Sequence, residues 1–396
     1  MKIKFLFHGL LVIGMAFSCK SSQQDKEDEY NSNVMKTVKY PEKGDMLLLT
    51  DRPPQLETPL KILRQDFTPN EYFFVRWHLA MIPKVIDAEA FRLEITGPSV
   101  NKTISLSLND LKTKFTPYSI VALAECAGNS RSFFKPRVAG GQWCNGAMGN
   151  AKWTGVKVKD ILEMAGIKDN AVDVAFDGLD EAPLPSVPDF VKSLGIKHAM
   201  DGEVMIAYQM NGKDIPMLNG YPLKLVVPGW FATYWVGALH KIEVLDHPFD
   251  GFWMKKAYTI ADNPQYNENP KDLAKKTVPV TTLALHSIFV EPEPDTKMAV
   301  GKPYDMEGLA FDGGKGITKV DISLDNGSTW THATLDPELG KYAWRRWRYT
   351  WTPAKAGKYT LKVKATNAAG ETQAAEQWNR SGYARNVIEQ MDVTVN

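Results

Sequence analysis

Within Ala122-Leu-Ala-Glu-Cys126-Ala-Gly-Asn-Ser-Arg131 one cysteine sits among small residues, directly after the strand-like apolar run Tyr118 to Leu123. Ala127 and Gly128 leave its sulfur open to close approach. Arg131, five residues on, can lower the thiol pKa and hold an anion beside it. Such a cysteine has four chemistries open to it: nucleophile, soft-metal ligand, inert buried thiol, or one half of a disulfide with Cys144. In an oxidising compartment the disulfide is the plain alternative. Nothing local supplies the histidine partner or the oxyanion donors that a cysteine hydrolase requires.

The elements that must hold this segment come from 396 residues, 44% of them hydrophobic, enough for two or three domains with their own cores. Forty-seven Lys and Arg against 46 Asp and Glu leave a net charge of +1, which argues against a broad nucleic-acid-binding face and leaves a local basic pocket open. Three cysteines with no Cys-x-x-Cys pair exclude a disulfide scaffold, a zinc ribbon and a c-type haem attachment site. Past the N-terminus no run of about 18 apolar residues is long enough for a membrane helix.

Lys2 and Lys4, the apolar run Phe5 to Phe17, and Ser18 directly before Cys19 follow the plan of an export signal. A small residue followed by cysteine resembles a bacterial lipoprotein processing site. Residues 1–18 are therefore expected to be a signal peptide, with Cys19 the lipidated start of a periplasmic or cell-envelope protein. No arginine pair accompanies the two lysines. Polar residues 19–44 read as a flexible tether.

Residues 45–255 mix helix-like stretches such as Lys157 to Ala165 with short apolar runs such as Leu223 to Val227, an α+β pattern. Residues 251–276 look like a polar connector. Beyond them, period-two runs such as Thr318 to Leu324 and Tyr359 to Ala365 alternate with turns at Asp325-Asn-Gly327 and Asn367-Ala-Ala-Gly370. They predict an immunoglobulin-like β-sandwich over residues 256–396.

From about Thr68 onward the landmarks fall in one order. They run Phe74-Val-Arg76-Trp-His78, Cys126-Ala-Gly-Asn-Ser-Arg131, Gly178-Leu-Asp180, Ala207-Tyr-Gln-Met-Asn-Gly212, Gly220-Tyr-Pro-Leu-Lys224, Phe249-Asp-Gly-Phe-Trp253 and Ala343-Trp-Arg345-Arg346-Trp347. In this the sequence resembles the sulfite oxidase family of molybdopterin oxidoreductases, its bacterial sulfite dehydrogenases especially. The resemblance implies that Cys126 is the thiolate ligand of molybdenum, which removes the disulfide to Cys144. It implies that Tyr208 stands beside the metal's exchangeable oxygen, that Arg76, Arg131 and Arg345 surround an oxyanion substrate, and that Trp143 walls the pocket. Three guanidiniums suit such an anion, because they offer forked donors and a charge that does not titrate away. Arg346, next along the strand from Arg345, is expected to face the other way.

For the molybdenum–molybdopterin cofactor the resemblance assigns Phe74, Arg76, His78 and Asp180, together with Trp235. Asn219 and Lys224 stand where the family has histidine and arginine, and Lys224 keeps a cation there. Gly237 replaces a lysine and brings only its backbone N–H.

The implied activity is oxidation of sulfite, or a similar small oxyanion, to sulfate by oxygen-atom transfer. With no haem motif on this chain, electrons are expected to leave singly to a c-type cytochrome. The expected assembly is a homodimer formed by the β domain, or a heteromer with a cytochrome subunit. Membrane contact would come only through the lipid on Cys19, and no nucleic-acid partner is expected. Two other readings stand beside this one: a molybdopterin reductase of sulfoxides or another oxyanion, and a non-catalytic surface lipoprotein that serves as a binding module.

Overall fold

Strands dominate from the first described residue. The computed structural model describes residues 36–294 and 296–396, and the signal-peptide and lipidation expectations, Cys19 included, lie outside the described residues. Residues 36–44, expected to be the end of a flexible tether, are instead folded. Thr37–Lys39 already pairs with Asp45–Asp51, and Lys43 between them is buried.

Three sheets build the first part of the chain. One is a four-stranded antiparallel sheet that ends on Val75–Arg76. A second places Asp173–Gly178 and Leu239–Leu245 at its centre. The third pairs Tyr118–Glu125 with Met148–Lys157, and that strand in turn with Met205–Met210. The Tyr118–Glu125 ladder is in register from Tyr118↔Gly155 to Glu125↔Met148, so the chain leaves the sheet directly at Cys126.

Among the described residues helices are few and short, so the α+β pattern is realised there as a mostly β structure. The longest, Val158–Ala165, buries Val158, Ile161, Leu162 and Ala165, the spacing of one helical face, and stops at Gly166 with φ 74°. The segment expected as a polar connector carries structure of its own: a helical turn at Phe252–Lys255, then Thr259–Ala261 paired with Thr277–Pro279.

The β-sandwich is present as expected. One sheet runs in the order His286–Glu291, Tyr304–Phe311, Arg345–Trp351, Thr334–Leu335; the facing sheet centres on Gly357–Asn367. Trp347, Val320, Leu361 and Val363 fill the space between them. The Asp325-Asn-Gly327 turn holds Asn326 at φ 58° and Gly327 at φ 92°, the left-handed backbone that this residue pair favours. The sandwich is joined to the first part of the chain by the Leu123 N–H donating to Tyr342 O (2.9 Å) and by the Leu283 N–H donating to Gly229 O (2.9 Å). Among the described residues no helix is long and apolar enough to cross a membrane.

Candidate active site

Cys126 lies where two cavities meet, and Arg76 and Tyr258 line both of them with it. The inner cavity, of about 720 Å³, runs past Phe74, His78, Asp180, Asn219 and Lys224 to Trp235 and Gly237. The outer one, of about 750 Å³, is walled by Arg131, Trp143, Lys256, Ser381 and Tyr383. Both cysteines are free, so the disulfide to Cys144 does not form. Burial raises the Cys126 thiol pKa, while the Arg76 and Arg131 guanidiniums oppose that shift. A thiol in this setting ionises once a soft metal binds it. Among the described residues no cluster of three His, Cys, Asp or Glu side chains could hold a metal ion.

Arg131 follows a tight turn in which Ser130 has φ 65°. Its side chain threads between backbone segments: a Cβ on Gly128 or Gly140 would come within 2.5 Å of it, and one on Gly382 within 2.8 Å. Arg131 Nη1 donates to Gly141 O (3.1 Å) and the guanidinium lies 4.9 Å from the Tyr383 ring centre. Its Nε is buried without a partner, a donor still to be satisfied.

The tyrosine at the junction is Tyr258, not Tyr208. Its hydroxyl lies 2.6 Å from His78 Nε2, and its ring stacks on Tyr383 at 5.1 Å and 8°. Burial drives the Tyr258 pKa up and holds His78 well below its usual value, with Arg76, Lys192 and Lys224 adding to the effect on the imidazole. His78 is therefore neutral. Tyr208 lines neither cavity; it sits at a bulge between Ala207 and Gln209, with Lys112 over its ring at 5.7 Å. The signal for Tyr258 was available five residues beyond the Phe249-to-Trp253 landmark.

Arg345 is also elsewhere. Its Nε donates to Asp336 O (3.0 Å) and its Nη1 to Ile317 O (2.7 Å), beside a separate cavity on the sandwich. Arg346 faces the other way, as strand alternation requires, and Nη2 donates to Leu63 O (3.0 Å). The sandwich instead reaches Cys126 through residues 379–384. The Ala384 N–H donates to Ala127 O (3.0 Å) and Ser381 Oγ to Thr259 O (2.9 Å), which brings Ser381 and Tyr383 to the outer cavity. Sequence reasoning missed these two and Lys256, because loop residues carry no periodicity.

The inner cavity fits a pterin. Phe74, Trp153 and Trp235 give it flat apolar walls, and Asp180 an acceptor whose carboxyl burial pushes up to about 7. Trp235 Nε1 is committed to Val227 O (2.9 Å), so that residue serves as wall and not as donor. Thr233 Oγ1 lines the cavity buried and unpartnered, as a hydroxyl awaiting a ligand would be. At the far end Lys224, held down at about 8 by burial, donates to Asn219 O (3.1 Å). Gly237 has a steric reason, since a Cβ there would lie 2.9 Å from Gly220 Cα. No lysine fits on that backbone.

Fold and site together define a molybdopterin oxidoreductase. Residues 78–253 match the family model for the oxidoreductase molybdopterin binding domain, and residues 277–396 match the Mo-co oxidoreductase dimerisation domain. Sulfite oxidase of Gallus gallus is 31% identical over 84% of this chain and 74% of its own length; that of Arabidopsis thaliana is 31% identical over 72% and 74%. Mitochondrial sulfite oxidase of Rattus norvegicus is 31% identical over 87% of this chain, and the matched region spans 65% of that relative's length. The sulfane dehydrogenase SoxCD of Paracoccus pantotrophus shares the fold, with a TM-score of 0.76 at 23% identity over 98% of this chain and 96% of that one. The chain belongs to the sulfite oxidase family.

Proposed function

We propose that this protein oxidises sulfite to sulfate by oxygen-atom transfer, water supplying the oxygen overall and two electrons and two protons leaving per turnover. The observation that carries this reading is the convergence of Arg76, Arg131 and Lys256 with Cys126 and Tyr258 on one cavity. Two guanidiniums and an ammonium there match a small dianion, with Lys256 in the place expected of Arg345.

Cys126 would tether the molybdenum, and Phe74, Asp180, Asn219 and Lys224 would hold the pterin. When bound, that group supplies the transferable oxygen and accepts the electron pair. The protein's own residues bind and orient. Arg131, locked by its glycine surroundings, holds the anion near the sulfur of Cys126; Trp143 closes one side. Tyr258, fixed by His78, presents its hydroxyl to the reacting oxygen. Electrons leave singly to an external c-type cytochrome, and the sandwich pairs two copies of the chain. The setting is the cell envelope, reached through the signal at residues 1–18 and an anchor on Cys19.

Sulfite-dependent reduction of cytochrome c by the purified holoenzyme tests the reading. The wild type should turn over, Cys126→Ser should not, and Cys144→Ser should match the wild type. A holoenzyme inert towards sulfite but able to reduce a sulfoxide overturns it.

A further inference from the structure

Lys192, on Val191–Gly195, lies outside both cavities and acts on His78 only through its charge. It is 1% exposed and makes no ion pair among the described residues. Its Nζ donates one hydrogen bond, to Trp253 O (2.8 Å), and lies 4.3 Å from the Tyr234 ring centre and 5.2 Å from that of Tyr258. A buried ammonium without a counter-ion is unfavourable, and an apolar side chain of similar length would serve packing better. Burial accordingly pulls the lysine down to about 7.

What this cation faces explains its place. Tyr258 has φ 51°, a left-handed conformation that a bulky residue keeps only where its surroundings over-determine it. His78 holds the hydroxyl, and Tyr383 covers one ring face. Lys192 acts at both ends of the intervening chain: it grips the Trp253 carbonyl at the helical turn and lies over the ring five residues later. Few groups other than a long cationic side chain can make both contacts.

We propose that Lys192 is a positioning residue for Tyr258, fastening the Trp253-to-Tyr258 segment so that the tyrosine hydroxyl meets His78 at the Cys126 cavity. The activity arm of its test rests on the proposed sulfite oxidation; the spectroscopic arm does not.

The experiment compares holoenzymes of the wild type, Lys192→Met, Tyr258→Phe and the double variant, in protein carrying ζ-13C-tyrosine. Lys192→Met removes a buried charge and keeps the length of the side chain, so it folds. Three results are expected of it. Molybdenum content stays at the wild-type level. The Tyr258 resonance, assigned by its loss in Tyr258→Phe, shifts and broadens. Sulfite kcat falls about 10- to 100-fold with KM within about threefold, as for a misplaced catalytic group. The double variant should be no slower than Tyr258→Phe. An unchanged Tyr258 resonance overturns the proposal, as does a fall in molybdenum content that accounts for the lost activity, or losses that multiply in the double variant. If the wild type fails to oxidise sulfite, the functional reading fails by itself and the resonance still decides on Lys192.

Discussion

The Tyr258 hydroxyl stands 2.6 Å from Nε2 of His78, a residue 180 positions earlier in the chain. Neither belongs to a long element. His78 follows the two-residue strand Val75–Arg76 and stacks on Phe190 at 3.5 Å and 11°; Tyr258 follows the helical turn Phe252–Lys255. The pair therefore depends on tertiary packing. In the tautomer that carries its proton on Nε2, the neutral imidazole donates to the phenolic oxygen and leaves the Tyr258 O–H free to donate to a reacting oxygen.

Removing that hydroxyl should be costly. Tyr258→Phe keeps the stack on Tyr383 and is expected to lower kcat/KM about 100-fold, the scale of one lost donor at a reacting oxygen. Tyr208→Phe should stay within about twofold, since Tyr208 lines neither cavity. Steady-state kinetics on the two variants distinguishes them, and the reverse ranking would return the role to Tyr208.

Local segments made part of the site legible. Cys126 and Arg131 lie within six residues on one turn, so their neighbourhood is written in the chain itself. Alternation along Arg345–Trp351 also predicted that Arg345 and Arg346 face opposite ways. It does not say which face meets the first part of the chain, and packing gave that side to Arg346. Ser381, Tyr383 and Lys256 come from irregular backbone held by tertiary hydrogen bonds, where no period marks a direction. The sandwich was legible because its strands alternate over long runs. The sheets of the first part are woven from distant short strands, and their order is not a local property.

Arg345 and Arg346 separate binding from stability. Arg345→Met should leave kcat/KM for sulfite within about twofold, because its guanidinium is spent on Asp336 O and Ile317 O. Arg346→Met should leave catalysis intact in the folded enzyme and lower stability by about 1–3 kcal/mol. It loses a buried bond to Leu63 O and leaves Glu307 with one cation fewer. Thermal unfolding beside kinetics reads both; a large catalytic loss in Arg345→Met would place that residue back at the substrate.

Lys43 lies outside both regions that match family models, yet it reaches the cofactor cavity through Asn219. Its Nζ donates to Asn70 O (2.8 Å), Phe73 O (3.0 Å) and Asn219 Oδ1, while Asn219 Nδ2 donates to Phe74 O (2.9 Å). Lys43→Met leaves three acceptors bare and Asn219 free to turn. Cofactor content of the purified protein should fall, and cofactor release on dilution should be faster, with Cys126 unaltered. Wild-type content and release in that variant would show that the four-stranded N-terminal sheet has no part in holding the cofactor.

Glu57 offers a titration that can be followed in the fold itself. It is 1% exposed and accepts from the backbone N–H groups of Cys144 (3.0 Å) and Gly146 (2.8 Å). Burial pushes its carboxyl up from 4.5 to about 7, with the two backbone donors opposing the shift. A folded-state pKa above the unfolded one means that the proton-linked stability is fully present below about pH 4.5 and is lost as pH rises through about 7, a change on the order of 3 kcal/mol. Glu57→Gln cannot titrate. It carries a constant offset, because its amide can accept only one of the two bonds well, but it escapes the loss. The difference in Tm between variant and wild type should therefore move in the variant's favour between about pH 5 and pH 8. Other buried carboxyls such as Asp180 titrate in both proteins and cancel. A difference that stays flat over that range would mean that Glu57 is ionised in the fold throughout, its two backbone donors outweighing its burial.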